Sequence, residues 1–133
     1  MIKVLVVDDH DLVRTGIARM LDEVDGLRVV GEASSGEQAV QMAKDTVPDV
    51  VLMDIKMPGI CGLEATRKLL RVDEGIRVIA VTMCEEEPFP SRLMKAGAAG
   101  YMTKGADLEE MVRAIKIVTT GQRYISPEIA QAM

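Results

Sequence analysis

With 133 residues, 48% of them hydrophobic and 28% charged, the chain is long and apolar enough for one domain with its own core, which excludes the low-hydrophobicity pattern of disorder. The formal net charge of −5 argues against this stretch alone holding a nucleic-acid backbone, which needs clustered Lys and Arg. Cys61 and Cys84 do not form a C-x-x-C pair, no apolar run approaches a membrane span, and Met1 leads directly into Ile2 without a signal-peptide pattern, so a cytoplasmic protein with reduced thiols and no membrane contact is expected.

Ile2 to Val7 is an apolar, β-branched-rich run ended by Asp8 and Asp9, the pattern of a strand buried on both faces. Asp11 is placed to cap a helix with Leu12, Val13, Ile17, Met20 and Leu21 on one face and Arg14, Arg19, Asp22 and Glu23 toward water, stopped by Gly26. Leu27 to Ala33 reads as a second strand. Ser34 or Ser35 then caps a helix to about Asp45, with Ala39, Val40, Met42 and Ala43 inward and Pro48 barring its continuation.

Val50 to Asp54 is a third strand, and the Met57-Pro58-Gly59 turn follows it at once. A helix from Gly62 to Arg71 carries Leu63, Thr66, Leu69 and Leu70 at helical spacing, and Gly75 introduces a fourth strand, Ile76 to Thr82. The acidic stretch from Met83 to Pro90 holds two prolines, which predicts a long mobile loop and a shortened helix starting near Pro90. Gly100 to Thr103 is a short fifth strand ending at Lys104. Asp107 caps a last helix with Leu108, Met111, Val112, Ile115 and Val118 aligned, and Gly121 ends it. Beyond it, Tyr124 to Ala130 contains a Ser-Pro helix start and reads as a linker or as the beginning of a further element.

Strands alternating with helices predict an α/β fold with a parallel sheet covered on both faces. In such a sheet Asp8, Asp9, Asp54, Thr82 and Lys104 all fall at strand C-terminal ends and converge on one edge, where open α/β sheets place their chemistry. The carboxylates form a hard, oxygen-rich set suited to Mg2+ that keeps some of its waters. Lys104 and the Thr82 hydroxyl are suited to the oxygens of an incoming phosphoryl group, with Asp54 as the attacking carboxylate. Several residues have plainer readings: His10 is taken as a loop residue outside the site, the methionines as core filler, and Glu85 to Glu87 as a solvated charge run.

Asp8-Asp9, Asp54 followed by Met57-Pro58-Gly59, Thr82 and Lys104 together resemble the receiver domain of two-component response regulators. The Asp8-Asp9-His10 start and the tail from Gly121 to Glu128 resemble the subfamily that carries a C-terminal LuxR-type helix-turn-helix, and the segments 84–90 and 96–105 are most similar to the GacA/UvrY branch of LuxR/NarL-type regulators. The resemblance implies a flavodoxin-like (βα)5 three-layer sandwich with a five-stranded parallel sheet in the order 2-1-3-4-5. It implies a receiver domain over 1–121, with 122–133 starting a linker toward a C-terminal helix-turn-helix domain.

By the same resemblance Asp54 is the phosphoacceptor, served by a sensor histidine kinase, a phosphotransfer protein or a small phosphodonor. Asp9, Asp54 and the Lys56 backbone carbonyl ligate Mg2+, Asp8 acts through water, Lys104 and Thr82 contact the phosphoryl oxygens, and Thr82 with Tyr101 forms the switch. Met83 stands after Thr82 where the family usually has a small residue, which narrows the path of hydrolytic water and predicts slow autodephosphorylation. The function implied is a signalling switch rather than an enzyme, phosphorylating and dephosphorylating only itself. Control of transcription, DNA contact through the C-terminal domain and phosphorylation-dependent homodimerisation are implied for the longer protein.

An alternative with the same residues is a Mg2+-dependent phosphatase using an aspartyl-phosphate intermediate, but it lacks a general acid beside Asp54 and a cap over a substrate pocket. A flavodoxin-like FMN carrier shares the topology, yet Asp8 and Asp9 occupy the turn where an FMN phosphate needs hydroxyls and glycines.

Overall fold

The apolar runs form the strands β1 (Ile2–Val7), β2 (Leu27–Ala33), β3 (Val50–Asp54), β4 (Arg77–Thr82) and β5 (Gly100–Thr103). Alternating with them are the helices α1 (Asp11–Asp22), α2 (Gly36–Thr46), α3 (Gly62–Val72), α4 (Phe89–Lys95) and α5 (Leu108–Thr119). The structure, a computed structural model, describes residues 1–55, 59, 62–82 and 89–132, the side chains of residues 82, 89, 90 and 132 excepted. The loop expected over 83–88 therefore lies outside the described residues.

Every strand pairing is parallel, and the sheet order is β2-β1-β3-β4-β5-β6. The expected order 2-1-3-4-5 is present, but the count of five strands is corrected to six by β6 (Tyr124–Ile125), which is followed by α6 (Pro127–Ala132). The Tyr124 N–H donates to the Ala99 carbonyl at 3.0 Å and the Ser126 N–H to the Tyr101 carbonyl at 3.0 Å. A Cβ added at Gly100 would stand 3.0 Å from the Tyr124 carbonyl oxygen, so glycine there lets β6 lie close. The stretch 122–132 thus contributes β6 and α6 to the packed body, with Ile129 fully buried.

Alternation along the strands sends successive side chains to opposite faces. Val4, Val6, Val50, Leu52, Ile79 and Val81 meet Ala18 and Leu21 of α1 and Met111, Ala114, Ile115 and Val118 of α5. On the other face Leu5, Val7, Val51, Met53 and Val78 meet Ala39 and Ala43 of α2 and Ala65 and Leu69 of α3. A third cluster joins Ile55, Ala80, Leu93, Met94, Ala98, Tyr101 and Ile129. Each fully buried large aliphatic side chain contributes about 1.5–3 kcal/mol, so the two-sided core holds the strand ends in register.

Helix α1 departs from its expected face. Leu12 is 89% exposed and Val13 and Met20 are also exposed, whereas Arg14, expected in water, has a side chain only 13% exposed. The inward stripe is Arg14, Ile17, Ala18 and Leu21, an i, i+3, i+4, i+7 set. Asp11 is the first residue of the helix, not its cap; His10 stands at the cap position and its side chain makes no cap hydrogen bond. Ser35 and Asp107 do cap α2 and α5, accepting from the backbone N–H of Gln38 and Glu110.

Candidate functional site

Because the strands run parallel, the residues that follow their C-terminal ends share one edge. Asp8 leaves β1 with its N–H donating to the Ala33 carbonyl at 3.0 Å, which fixes the backbone beside β2. Asp54 ends β3, paired opposite Val81 of β4, and its side chain is only 2% exposed. Just beyond it Ile55 packs under the start of α3: a Cβ at Gly62 would lie 2.9 Å from the Ile55 Cα, so only glycine allows that close approach.

Lys104 follows β5 and reaches back across the edge. Its Nζ donates to Asp54 Oδ2 at 2.9 Å and stands 3.7 Å from Asp8 Oδ2. Burial alone would lower the Lys104 pKa, but the hydrogen bond and charge of Asp54, with the charges of Asp8 and Asp9, carry it above its ordinary value. The ammonium is therefore a fixed positive charge beside two buried carboxylates.

Asp8, Asp9, His10 and Asp54 each offer a ligand atom within 4.8 Å of the others. Asp9 Oδ1 is buried and has no hydrogen-bond partner among the described residues, an acceptor that a cation would satisfy. Predominantly oxygen donors, one of them orphaned, make an acidic pocket chemically suited to a hard divalent cation.

The structure thus brings together Asp8, Asp9, Asp54 and Lys104 of the sequence-predicted set. Thr82 is placed through its backbone alone, at the end of β4 opposite Thr103, and its side chain lies outside the described residues, as do Lys56 and Met83. Tyr101 is in β5 and fully buried, in the cluster with Leu93, Met94 and Ile129.

Two residues that sequence reasoning left outside the site belong to its surroundings. Arg14 donates from Nη1 to the Asp8 carbonyl at 2.8 Å and from Nε to Glu32 Oε1 at 3.2 Å, and its Nη2 stands 2.8 Å from Asp11 Oδ1. Its desolvation, the largest single influence on its pKa, is more than offset by the bonds and charges of Asp11 and Glu32. The signal was its helical spacing to Ile17, Ala18 and Leu21. His10 turns its ring toward the acids, with Nδ1 3.2 Å from Asp8 Oδ1 and 3.1 Å from Asp9 Oδ1.

A family model described as the response regulator receiver domain matches residues 4–116. The chain belongs to the response regulator receiver family. It is 70% identical over all 133 residues to the response regulator GacA of Pseudomonas syringae pv. syringae (strain B728a), covering 62% of that protein. It is 55% identical over the same 133 residues to the response regulator UvrY of Escherichia coli (strain K12), covering 61% of that protein. Its fold matches the crystal structure of a LuxR-family two-component response regulator from Aurantimonas sp. SI85-9A1 with a TM-score of 0.92 at 39% identity, covering 98% of this receiver and 93% of that chain.

This receiver therefore spans about three-fifths of the curated relatives it matches. These matches support the receiver reading and not the phosphatase alternative. Among the described residues no helix is long and apolar enough to cross a membrane.

Proposed function

We propose that this receiver takes a phosphoryl group on Asp54 and that the modification switches the output of a longer, transcription-regulating protein. The observation that carries the reading is the Lys104 ammonium 2.9 Å from Asp54 Oδ2 within a cluster of three carboxylates at the sheet edge. A carboxylate oxygen of Asp54 attacks phosphorus, the bond to the donor's nitrogen or oxygen breaks, and the donor group leaves with that electron pair. Lys104 and the Thr82 hydroxyl receive the phosphoryl oxygens. Asp9, Asp54 and the Lys56 carbonyl would hold Mg2+, with Asp8 acting through water, and the bound ion would supply neutralising charge. The orphaned Asp9 Oδ1 supports this assignment.

Thr82 and Tyr101 relay the change, and Met83 limits access of water to the acyl phosphate. The donor is a sensor histidine kinase, a phosphotransfer protein or a small phosphodonor. The receiver unit is 1–121, and the following stretch, packed on it through β6 and α6, leads toward a C-terminal DNA-binding domain. Phosphorylation promotes pairing with a second copy, and the protein works in the cytoplasm. The receiver catalyses only its own phosphorylation and dephosphorylation. The likeness to GacA and UvrY over the whole chain supports these assignments.

Beryllofluoride, which mimics a phosphoryl group on a carboxylate, tests the site. Fluorine NMR should show a bound species that requires Mg2+ and disappears in Asp54→Asn; a bound species that persists in Asp54→Asn rejects Asp54 as acceptor.

A further inference from the structure

We propose that His10 is a metal-selectivity residue, adding one nitrogen donor to the site formed by Asp9 and Asp54 with Asp8 beside them. The proposal rests on the cation site described above and deepens it. The His10 N–H donates to Asp8 Oδ1 at 2.8 Å, folding the residue back so that its ring faces the acids rather than the end of α1. A residue at a helix cap usually uses its side chain to accept from the first turn, and His10 does not. Its ring is spent on the carboxylates instead.

The two ring contacts differ in kind. Nδ1 lies within hydrogen-bond reach of Asp8 Oδ1 at 3.2 Å. The contact to Asp9 Oδ1 is shorter, 3.1 Å, yet that oxygen has no hydrogen-bond partner among the described residues. The nitrogen and oxygen therefore converge on shared space without one donating to the other. Donor atoms about 2.1 Å from one ion and at right angles to each other stand about 3.0 Å apart, the spacing of this pair.

The His10 side chain is 65% exposed, so an ion reaches it from solvent without disturbing the core. Mg2+ gains little from an imidazole, whereas Mn2+, Co2+ and Zn2+ gain substantially. A purely carboxylate and carbonyl site discriminates less among these ions. With His10 turned in, the site favours the borderline ions.

Calorimetric titration of wild type, His10→Ala and Asp54→Asn with MgCl2 and with CoCl2 at one fixed pH tests this. The ratio of Co2+ to Mg2+ affinity should fall about tenfold or more in His10→Ala. His10 is the only histidine, so the single imidazole signal in the NMR spectrum reports the site directly, and Co2+ should shift it strongly in wild type. A ratio unchanged within about twofold, or an unshifted ring at saturating Co2+, overturns the role of His10 while leaving the carboxylate site standing. Failure of both ions to bind wild type overturns the cation site itself and the role of His10 with it.

Discussion

Lys104→Met would remove the ammonium from beside Asp54 and Asp8 while keeping most of the apolar stem. At 2.9 Å and an effective dielectric of about 20 the attraction to Asp54 alone is about 6 kcal/mol, and desolvation of the ammonium offsets a large part of it. Breaking a buried pair by removing one partner costs about 3–5 kcal/mol. The Lys104 side chain is 25% exposed although Asp54 is only 2% exposed, so water screens one end of the pair and the low end applies, about 3 kcal/mol, or a Tm lower by roughly 10 °C for a domain of this size.

The variant should then respond to Mg2+ more than wild type does, because the ion no longer competes with a neighbouring positive charge and replaces the missing one. An ion at about one hundred times its Kd returns about 2.7 kcal/mol. The sign of the pH dependence follows from the raised Lys104 pKa. The stabilisation is fully present below the ordinary lysine value and is lost only as pH climbs through the raised native value. The wild-type-minus-variant difference should therefore be flat between about pH 6 and 9. Urea unfolding of both proteins, with and without MgCl2, reads all of this. A loss under about 1 kcal/mol without Mg2+, or a Mg2+ response no larger than that of wild type, refutes the reasoning.

Ile129→Ala should lower stability by about 2–4 kcal/mol in urea unfolding, since the side chain is fully buried against the Tyr101 cluster. A change under about 0.5 kcal/mol would show that α6 is not packed there. Met83→Ala should lose its phosphoryl group severalfold faster than wild type in a mass-spectrometric time course; a rate equal to or below wild type counts against the shielding role of Met83.

The strands were legible because their apolar runs are short, β-branched and punctuated by glycine, proline or acids, and a parallel sheet then forces Asp8, Asp54 and Lys104 to one edge. Two residues are too few to show periodicity, so Tyr124–Ile125 could not be read as β6; that strand depends on the bare Gly100 alongside it and on the buried Ile129 beyond. In α1, Leu12, Val13 and Met20 are apolar yet exposed, so apolarity alone does not mark the inward face. Helical geometry selects Arg14 with Ile17, Ala18 and Leu21, and a guanidinium can line such a stripe when a backbone carbonyl and two acids meet it. Sequence spacing carries no ring orientation, so by sequence His10 is only a loop residue beside the acids. That orientation is set by its own N–H bonding to Asp8.

The central claim is that Asp54 accepts a phosphoryl group in a cation-dependent way. Intact mass after incubation with acetyl phosphate tests it most directly: wild type with MgCl2 should gain the mass of one phosphoryl group, and neither chelated wild type nor Asp54→Asn should gain it. A stable adduct of equal yield on Asp54→Asn, or none on wild type with Mg2+, contradicts the account.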